Sequence, residues 1–171
     1  MQGRVQVYTG DGKGKTTAAL GLAVRAVGAG LRVVIFQFMK QGRYSEINTL
    51  ERFGDRLQVH QFGTGRWVGG NPDAKDVAAA AKGIEALKGA LTSGDFDLVI
   101  ADEANVAAHC GLIPVDTLVS LMDLRQSHTE LVITGRHAHP RVVEQADLVT
   151  EMIAVKHYFS QGVRARTGIE K

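Results

Sequence analysis

Thr9-Gly10-Asp11-Gly12-Lys13-Gly14-Lys15-Thr16-Thr17 is the stretch whose reading decides the fold. Before it, Arg4-Val5-Gln6-Val7-Tyr8 alternates polar and apolar, as a short strand does. After it, residues 18–27 carry Arg25 as their one charge and read as a mostly buried helix. Strand, glycine-rich turn, lysine, hydroxyl residue and helix form the context of a phosphate-binding P-loop. Glycines let backbone N–H groups curl around an anion, and the helix N-terminus adds its positive dipole end. On this reading Gly10, Asp11, Gly12, Lys13, Gly14, Lys15, Thr16 and Thr17 bind nucleotide. Lys15 would reach a phosphate oxygen, and Thr16 would place its hydroxyl on magnesium. The pattern G-x-x-x-x-G-K-[ST] puts its first glycine where this chain has Thr9; here the glycines stand at 10, 12 and 14. The bland alternative is a glycine-rich turn without a ligand, which Gly-Lys-Thr-Thr in this context disfavours.

Working outward, residues 32–38 form a continuous apolar strand suited to a buried parallel sheet. A polar loop at 41–45 and a short helix over 46–53 lead to an alternating strand at 57–62. A glycine-rich loop over 63–70 holds the single tryptophan, Trp67. Asn71-Pro72-Asp73 reads as a helix start, and Val77, Ala81, Ile84, Leu87 and Leu91 make one apolar stripe. A buried strand at 96–101 closes in Asp102-Glu103. Pro114 opens a helix to about 127, and the strand at 130–134 ends in Gly135-Arg136. Pro140 starts a short helix, a last strand covers 148–155, and residues 160–171 form a basic tail expected near the site. Alternating strands and helices predict one three-layer α/β domain over 1–171, P-loop NTPase-like (RecA-like), with a mostly parallel central sheet. Ligands bind such sheets at the strands' carboxyl ends. The P-loop, residues 62–67, Asp102-Glu103 and Thr134-Gly135-Arg136 all fall there.

The chain's 171 residues suit one domain, and a net charge of +2 gives no case for nucleic acid. One cysteine, Cys110, excludes an internal disulfide and points to a reducing compartment. No signal-like segment precedes the first strand and no apolar run is long enough to span a bilayer, so a cytoplasmic protein without membrane partners is expected.

Asp102 and Glu103, after four apolar strand residues, fit the acidic motif that holds magnesium opposite Thr16. Alone such a pair is as often a plain helix start. Arg136 is either a phosphate clamp or a surface arginine, on even terms. His137 and His139 read as turn residues rather than metal ligands, His60 as structural, and Cys110 as filler. Phe62 and Trp67 flank the glycine-rich loop; composition favours core capping over an aromatic wall against a flat ligand. A P-loop ATPase or kinase acting on another substrate fits these residues, as does a nucleotide-binding module without catalysis.

The sequence also resembles the ATP:corrinoid adenosyltransferases of the CobA/BtuR type over essentially its whole length. The resemblance rests on Tyr8 to Ala19, Gln37-Phe38-Met39-Lys40, Glu46 with Leu50-Glu51, Asp102-Glu103, Thr134-Gly135-Arg136, residues 146–151, Lys156-His157, and Gly162 through Ala165 to Gly168-Ile169-Glu170. It implies transfer of the 5′-deoxyadenosyl group of ATP to the cobalt(I) of a reduced corrinoid such as cobalamin or cobinamide, with triphosphate leaving. Cobalt is then the nucleophile, and the protein aligns it with C5′ and stabilises the leaving charge. The family implies catalytic roles for Lys15 and Thr16, magnesium on Thr16, Glu103 and Asp102, and phosphate contacts from Lys13 and Arg136. It also implies ATP seated in reverse, a flavodoxin-like or flavin reductant, and a homodimer. One branch of the family has Phe and Trp two residues apart after Thr-Gly. Here Thr64-Gly65-Arg66-Trp67-Val68 puts Arg66 at the Phe position. Trp67, supported by Phe62, is therefore expected to face cobalt, and Phe62, Arg66 and Trp67 to bind the corrinoid. The N-terminal extension of some members is missing, so a cover over the corrinoid is expected to be absent or to come from a neighbouring subunit. Asp11, an Asn in some members, would repel triphosphate unless a cation or Lys13 offsets it.

Overall fold

The computed structural model describes residues 2–66 and 68–170. Its centre is a six-stranded sheet in the order β3-β2-β4-β5-β1-β6. The strands are β1 (Val5–Thr9), β2 (Val33–Phe38), β3 (Leu57–Phe62), β4 (Leu98–Asp102), β5 (Glu130–Thr134) and β6 (Leu148–Glu151). Every pairing is parallel, so the expected mostly parallel sheet is parallel throughout. The helices are α1 (Lys15–Gly28), α2 (Ser45–Leu50), α3 (Ala74–Ser93), α4 (Ala104–His109), α5 (Val115–Leu124) and α6 (Pro140–Gln145).

Period-two alternation sorts the strand side chains onto two cores. Val34, Phe36, Phe38, Val99, Ala101 and Ile133 pack with Leu87, Leu91, Leu118 and Val142 from α3, α5 and α6. Val33, Ile35, Leu98, Ile100 and Val132 face the other way, onto Ala19, Ala23 and Ala26 of α1 and Leu50 of α2. The sheet is covered on both faces, which is why its central strands read as unbroken apolar runs.

Local boundaries differ from the sequence reading in several places. Asp73, not Asn71, caps α3: its carboxylate accepts from the N–H groups of Lys75 and Asp76, and the Asp76 carboxylate accepts from Asp73 N. This reciprocal box satisfies more of the helix's orphan donors than Asn71 with Pro72 could. The 46–53 helix becomes α2 plus a 3₁₀ stretch, Glu51–Arg56, broken at Gly54 (φ 55°). An additional short helix, α4, follows Glu103. Strand β6 stops at Glu151 rather than continuing to Val155, because β1 ends at Thr9 and offers no further partner.

Candidate active site

The phosphate loop joins β1 to α1. Lys15 is 7 % exposed, and its ammonium donates to the carbonyls of Gly10 and Gly12, both at 2.7 Å. Two of its three donors are thereby fixed to the loop, leaving one for a phosphate oxygen. Burial first, then the neighbouring Arg136 charge, lowers the Lys15 pKa below the ordinary lysine value. The displaced glycines have a packing cause. The chain leaving β6 runs directly over the loop, with Gly12 N donating to Met152 O at 2.6 Å. A Cβ at Gly10 or Gly12 would stand 2.5 or 2.6 Å from that carbonyl oxygen. Positions 10 and 12 must therefore lack side chains, while Thr9, still in the ladder, tolerates one. Gly14, at φ 125°, turns the loop into α1.

At the end of β4 lies Asp102, with a side chain 1 % exposed. Its Oδ1 accepts from the Thr16 hydroxyl (2.8 Å) and the Thr134 hydroxyl (2.7 Å), and its Oδ2 accepts from Lys40 Nζ (2.7 Å). Gln37 Nε2 approaches Oδ2 at 3.4 Å, and Gln61 in turn donates to Gln37 at 3.0 Å. A carboxylate so bonded orients the groups around it rather than offering free lone pairs. Burial alone would lower the Lys40 pKa, but the adjacent Asp102 carboxylate outweighs it and raises the value. Glu103 follows in a left-handed conformation (φ 61°), a strained geometry for a residue with a side chain. Its carboxyl lines the cleft, and burial, then the Asp102 charge, raises its pKa. An oxygen ligand whose ionised form is disfavoured by burial and a like charge gains from a nearby hard cation. With the Thr16 hydroxyl, Glu103 makes a donor set suited to nucleotide-bound magnesium.

These groups open into a cleft of about 660 Å³. Lys13, Lys15, Lys40 and Arg136 line it together with Thr16, Thr17, Glu103 and the N-terminal turn of α1. Tyr44, Glu46 and Thr49, in and before α2, form another wall, and His157, Gly168, Ile169 and Glu170 close it from the tail. Arg136 Nε stands 4.0 Å from Asp11, the cation expected beside that carboxylate. Lys13 Nζ instead donates to Ile169 O at 2.9 Å.

Phe62 and Arg66 do not line this cleft. Phe62 stacks near Phe36 and Phe38, with ring centroids at 6.2 and 6.3 Å, and lies over Gly83 of α3. Arg66 pairs with Asp76 and, at 3.3 Å, with Asp73, and the Thr64 hydroxyl donates to Asp76 at 2.6 Å. These bonds lower the Asp76 pKa, that from Thr64 foremost, and tie the 63–66 loop to the cap of α3. Trp67 lies outside the described residues. Sequence reasoning placed Thr134 at a ligand-facing strand end and Gln37 and Lys40 in the family resemblance, but gave none of the three an individual role. Lys40 has one legible signal: it is the first charge after the apolar run of β2 and ends the stretch 37–40. Among the described residues no helix is long and apolar enough to cross a membrane.

A parallel α/β sheet with a glycine-lysine-threonine loop at β1 and a buried acid at the end of β4, one strand removed across β5, defines the P-loop nucleotide-binding class. A family model described as ATP:corrinoid adenosyltransferase BtuR/CobO/CobP matches residues 1–170. The chain is 39 % identical to the corrinoid adenosyltransferase CobA of Salmonella typhimurium, over 99 % of this chain and 86 % of that protein. It is 38 % identical to the corrinoid adenosyltransferase of Escherichia coli K12, over the same shares. With that of Pseudomonas aeruginosa it shares 34 %, over 99 % of this chain and 84 % of that protein. The chain belongs to the ATP:corrinoid adenosyltransferase family.

Proposed function

We propose that this protein transfers the 5′-deoxyadenosyl group of ATP to the cobalt(I) of a reduced corrinoid. The C5′–O bond breaks, a cobalt–carbon bond forms from the metal's electron pair, and triphosphate leaves. The observation that carries the reading is the gathering of Lys13, Lys15, Lys40 and Arg136 along one cleft. Four cations against a phosphate loop suit a leaving group with several negative charges, held whole, better than a single transferred phosphoryl group. The family resemblance favours ATP seated in reverse, its γ-phosphate where other P-loop enzymes hold the α and its α-phosphate facing Lys15.

Lys15 and Thr16 are the catalytic groups of the loop; Gly10, Gly12, Gly14, Thr17, Lys13 and Arg136 hold phosphates, and Asp11 is balanced by Arg136. Where magnesium binds, Thr16 and Glu103 would hold it, with Asp102 fixing Thr16 from behind; the ion then supplies charge stabilisation on phosphate oxygens. The corrinoid is assigned to the side of the 63–70 loop, with Trp67 facing cobalt, Phe62 supporting from the core edge and Arg66 anchoring the loop on α3. Cobalamin or cobinamide is the expected corrinoid, and a flavodoxin-like or flavin donor the expected reductant. A homodimer is the assembly the family resemblance implies, and the single cysteine and the use of ATP support a cytoplasmic setting.

The decisive experiment incubates the protein with ATP and chemically reduced corrinoid. Triphosphate should appear in step with the change in the corrinoid's visible spectrum. ADP and phosphate beside an unalkylated corrinoid would instead establish the ATPase or kinase alternative. Lys15→Ala should lower turnover by roughly 10²–10³-fold.

A further inference from the structure

The turn over residues 167–170 forms one wall of the cleft, yet little apolar burial holds it: Ile169 is 54 % exposed and Val163 36 %. Polar bonds hold it instead. Glu170 Oε1 accepts from the Tyr158 hydroxyl and from Arg166 Nη2 (3.1 Å). Glu170 Oε2 accepts from the Arg166 backbone N–H (2.8 Å) and from Nε (3.3 Å). The guanidinium also lies over the Tyr158 ring, 5.1 Å from its centroid. Ile169 N and Glu170 N both donate to Arg166 O, which closes the turn and aims the Ile169 carbonyl at Lys13. Tyr158 itself begins a 3₁₀ turn only a few residues beyond Met152, whose carbonyl is fixed on Gly12 N.

We infer that Tyr158, Arg166 and Glu170 form a clasp that sets this turn against the phosphate loop and, through Ile169 O, poises Lys13 for triphosphate. The inference rests on reading the cleft as a triphosphate site. Lys13 is a long side chain near the surface; without a fixed partner, its rotamer freedom would oppose phosphate binding. With the clasp closed, its ammonium keeps one donor on the Ile169 carbonyl and offers the other two to anionic oxygens, the stronger charge-assisted bonds. The three clasp residues are positioning residues, acting on the phosphates only through Lys13.

The test is a double-mutant cycle in the full chain, reading inorganic triphosphate binding by calorimetry with magnesium present, and the KM for ATP in parallel. Glu170→Gln should weaken triphosphate binding and raise the KM for ATP roughly tenfold, with the KM for corrinoid unchanged. In a Lys13→Ala background the same substitution should have no further effect. Tyr158→Phe, a milder change, should move triphosphate binding about threefold and serves if Glu170→Gln disturbs folding. Additive effects of Glu170→Gln and Lys13→Ala, or unchanged triphosphate binding in both clasp variants, would overturn the clasp. So would failure of the wild-type protein to bind triphosphate. Triphosphate binding with an intact cycle, but no adenosylation, would leave the clasp standing and refute the functional reading alone.

Discussion

Asp102 shows how one buried carboxylate can organise a site without reacting. Its two oxygens collect Thr16 from α1, Thr134 from β5 and Lys40 from the end of β2, so three chain segments are fixed to one point. Removing one partner of such a pair strands the other charge, which typically costs about 3–5 kcal/mol. Lys40→Met is therefore expected to lower stability by roughly that amount, measured by urea denaturation. Because its folded pKa is raised, the Lys40 contribution is complete below the ordinary lysine value of 10.5 and is lost only as pH climbs through the raised value. The gap between wild type and variant should stay flat over about pH 6–9 and narrow only in stronger base. Glu103 is the opposite case: a strained residue, mostly buried, with Asp102 as its like-charged neighbour. Glu103→Gln should raise the unliganded protein's stability by about 1 kcal/mol while cutting turnover, the trade expected where a site stores electrostatic strain. A destabilised Glu103→Gln protein would show that the carboxylate has a structural role instead.

The strands and most helices were legible from sequence because their signals are local: apolar runs in β2 and β4, alternation in β1 and β3, proline opening α6. What was not legible depended on a partner remote in sequence. Strand β6 looks continuous to Val155, but its length is set by where β1 turns into the phosphate loop. The glycines at 10 and 12 looked like a shifted motif until the Met152 carbonyl was seen against them. Gly83 was equally silent inside a helix pattern. A Cβ there would stand 2.7 Å from the Phe38 ring and 2.9 Å from that of Phe62. Gly83→Ala thus sets a helix-propensity gain of roughly 1 kcal/mol against overpacking of about 1–3 kcal/mol. A net loss of stability is expected, read by thermal denaturation; a gain would mean that α3 rides freely on this face. The tail's chemistry was hidden for the same reason, since Glu170 meets Tyr158 and Arg166 only after the chain turns back. Hydrogen bonds from Arg166, then from Tyr158, hold the Glu170 carboxyl at a pKa of about 2. A depressed value means that the clasp's contribution is complete above the ordinary carboxyl range and fades as pH falls towards 2. The Glu170 carboxyl resonance should titrate with that low midpoint, and an ordinary glutamate midpoint would mean that the clasp is open in solution.

Taken together, the two cores and the cleft make one mechanical unit. The cores lie on opposite faces of a single sheet and share its strands, so neither can lose packing without exposing the other's strands. The cleft draws its lining from the ends of β1, β2, β4 and β5, from α1 and α2, and from the tail. A ligand held there touches segments belonging to both layers. Two consequences follow. Thermal unfolding should be a single cooperative transition with equal calorimetric and van't Hoff enthalpies; two resolved transitions would contradict one domain over 1–171. A ligand present at 100 times its dissociation constant should add about 2.7 kcal/mol to the whole protein. For a chain of this size that corresponds to a midpoint rise of roughly 5–10 °C with ATP and magnesium. Chelating the magnesium should remove most of the rise if Thr16 and Glu103 hold the ion against the phosphates. An undiminished rise in the presence of chelator would instead assign the binding energy to Lys13, Lys15, Lys40 and Arg136 alone, and would leave Glu103 without its proposed role.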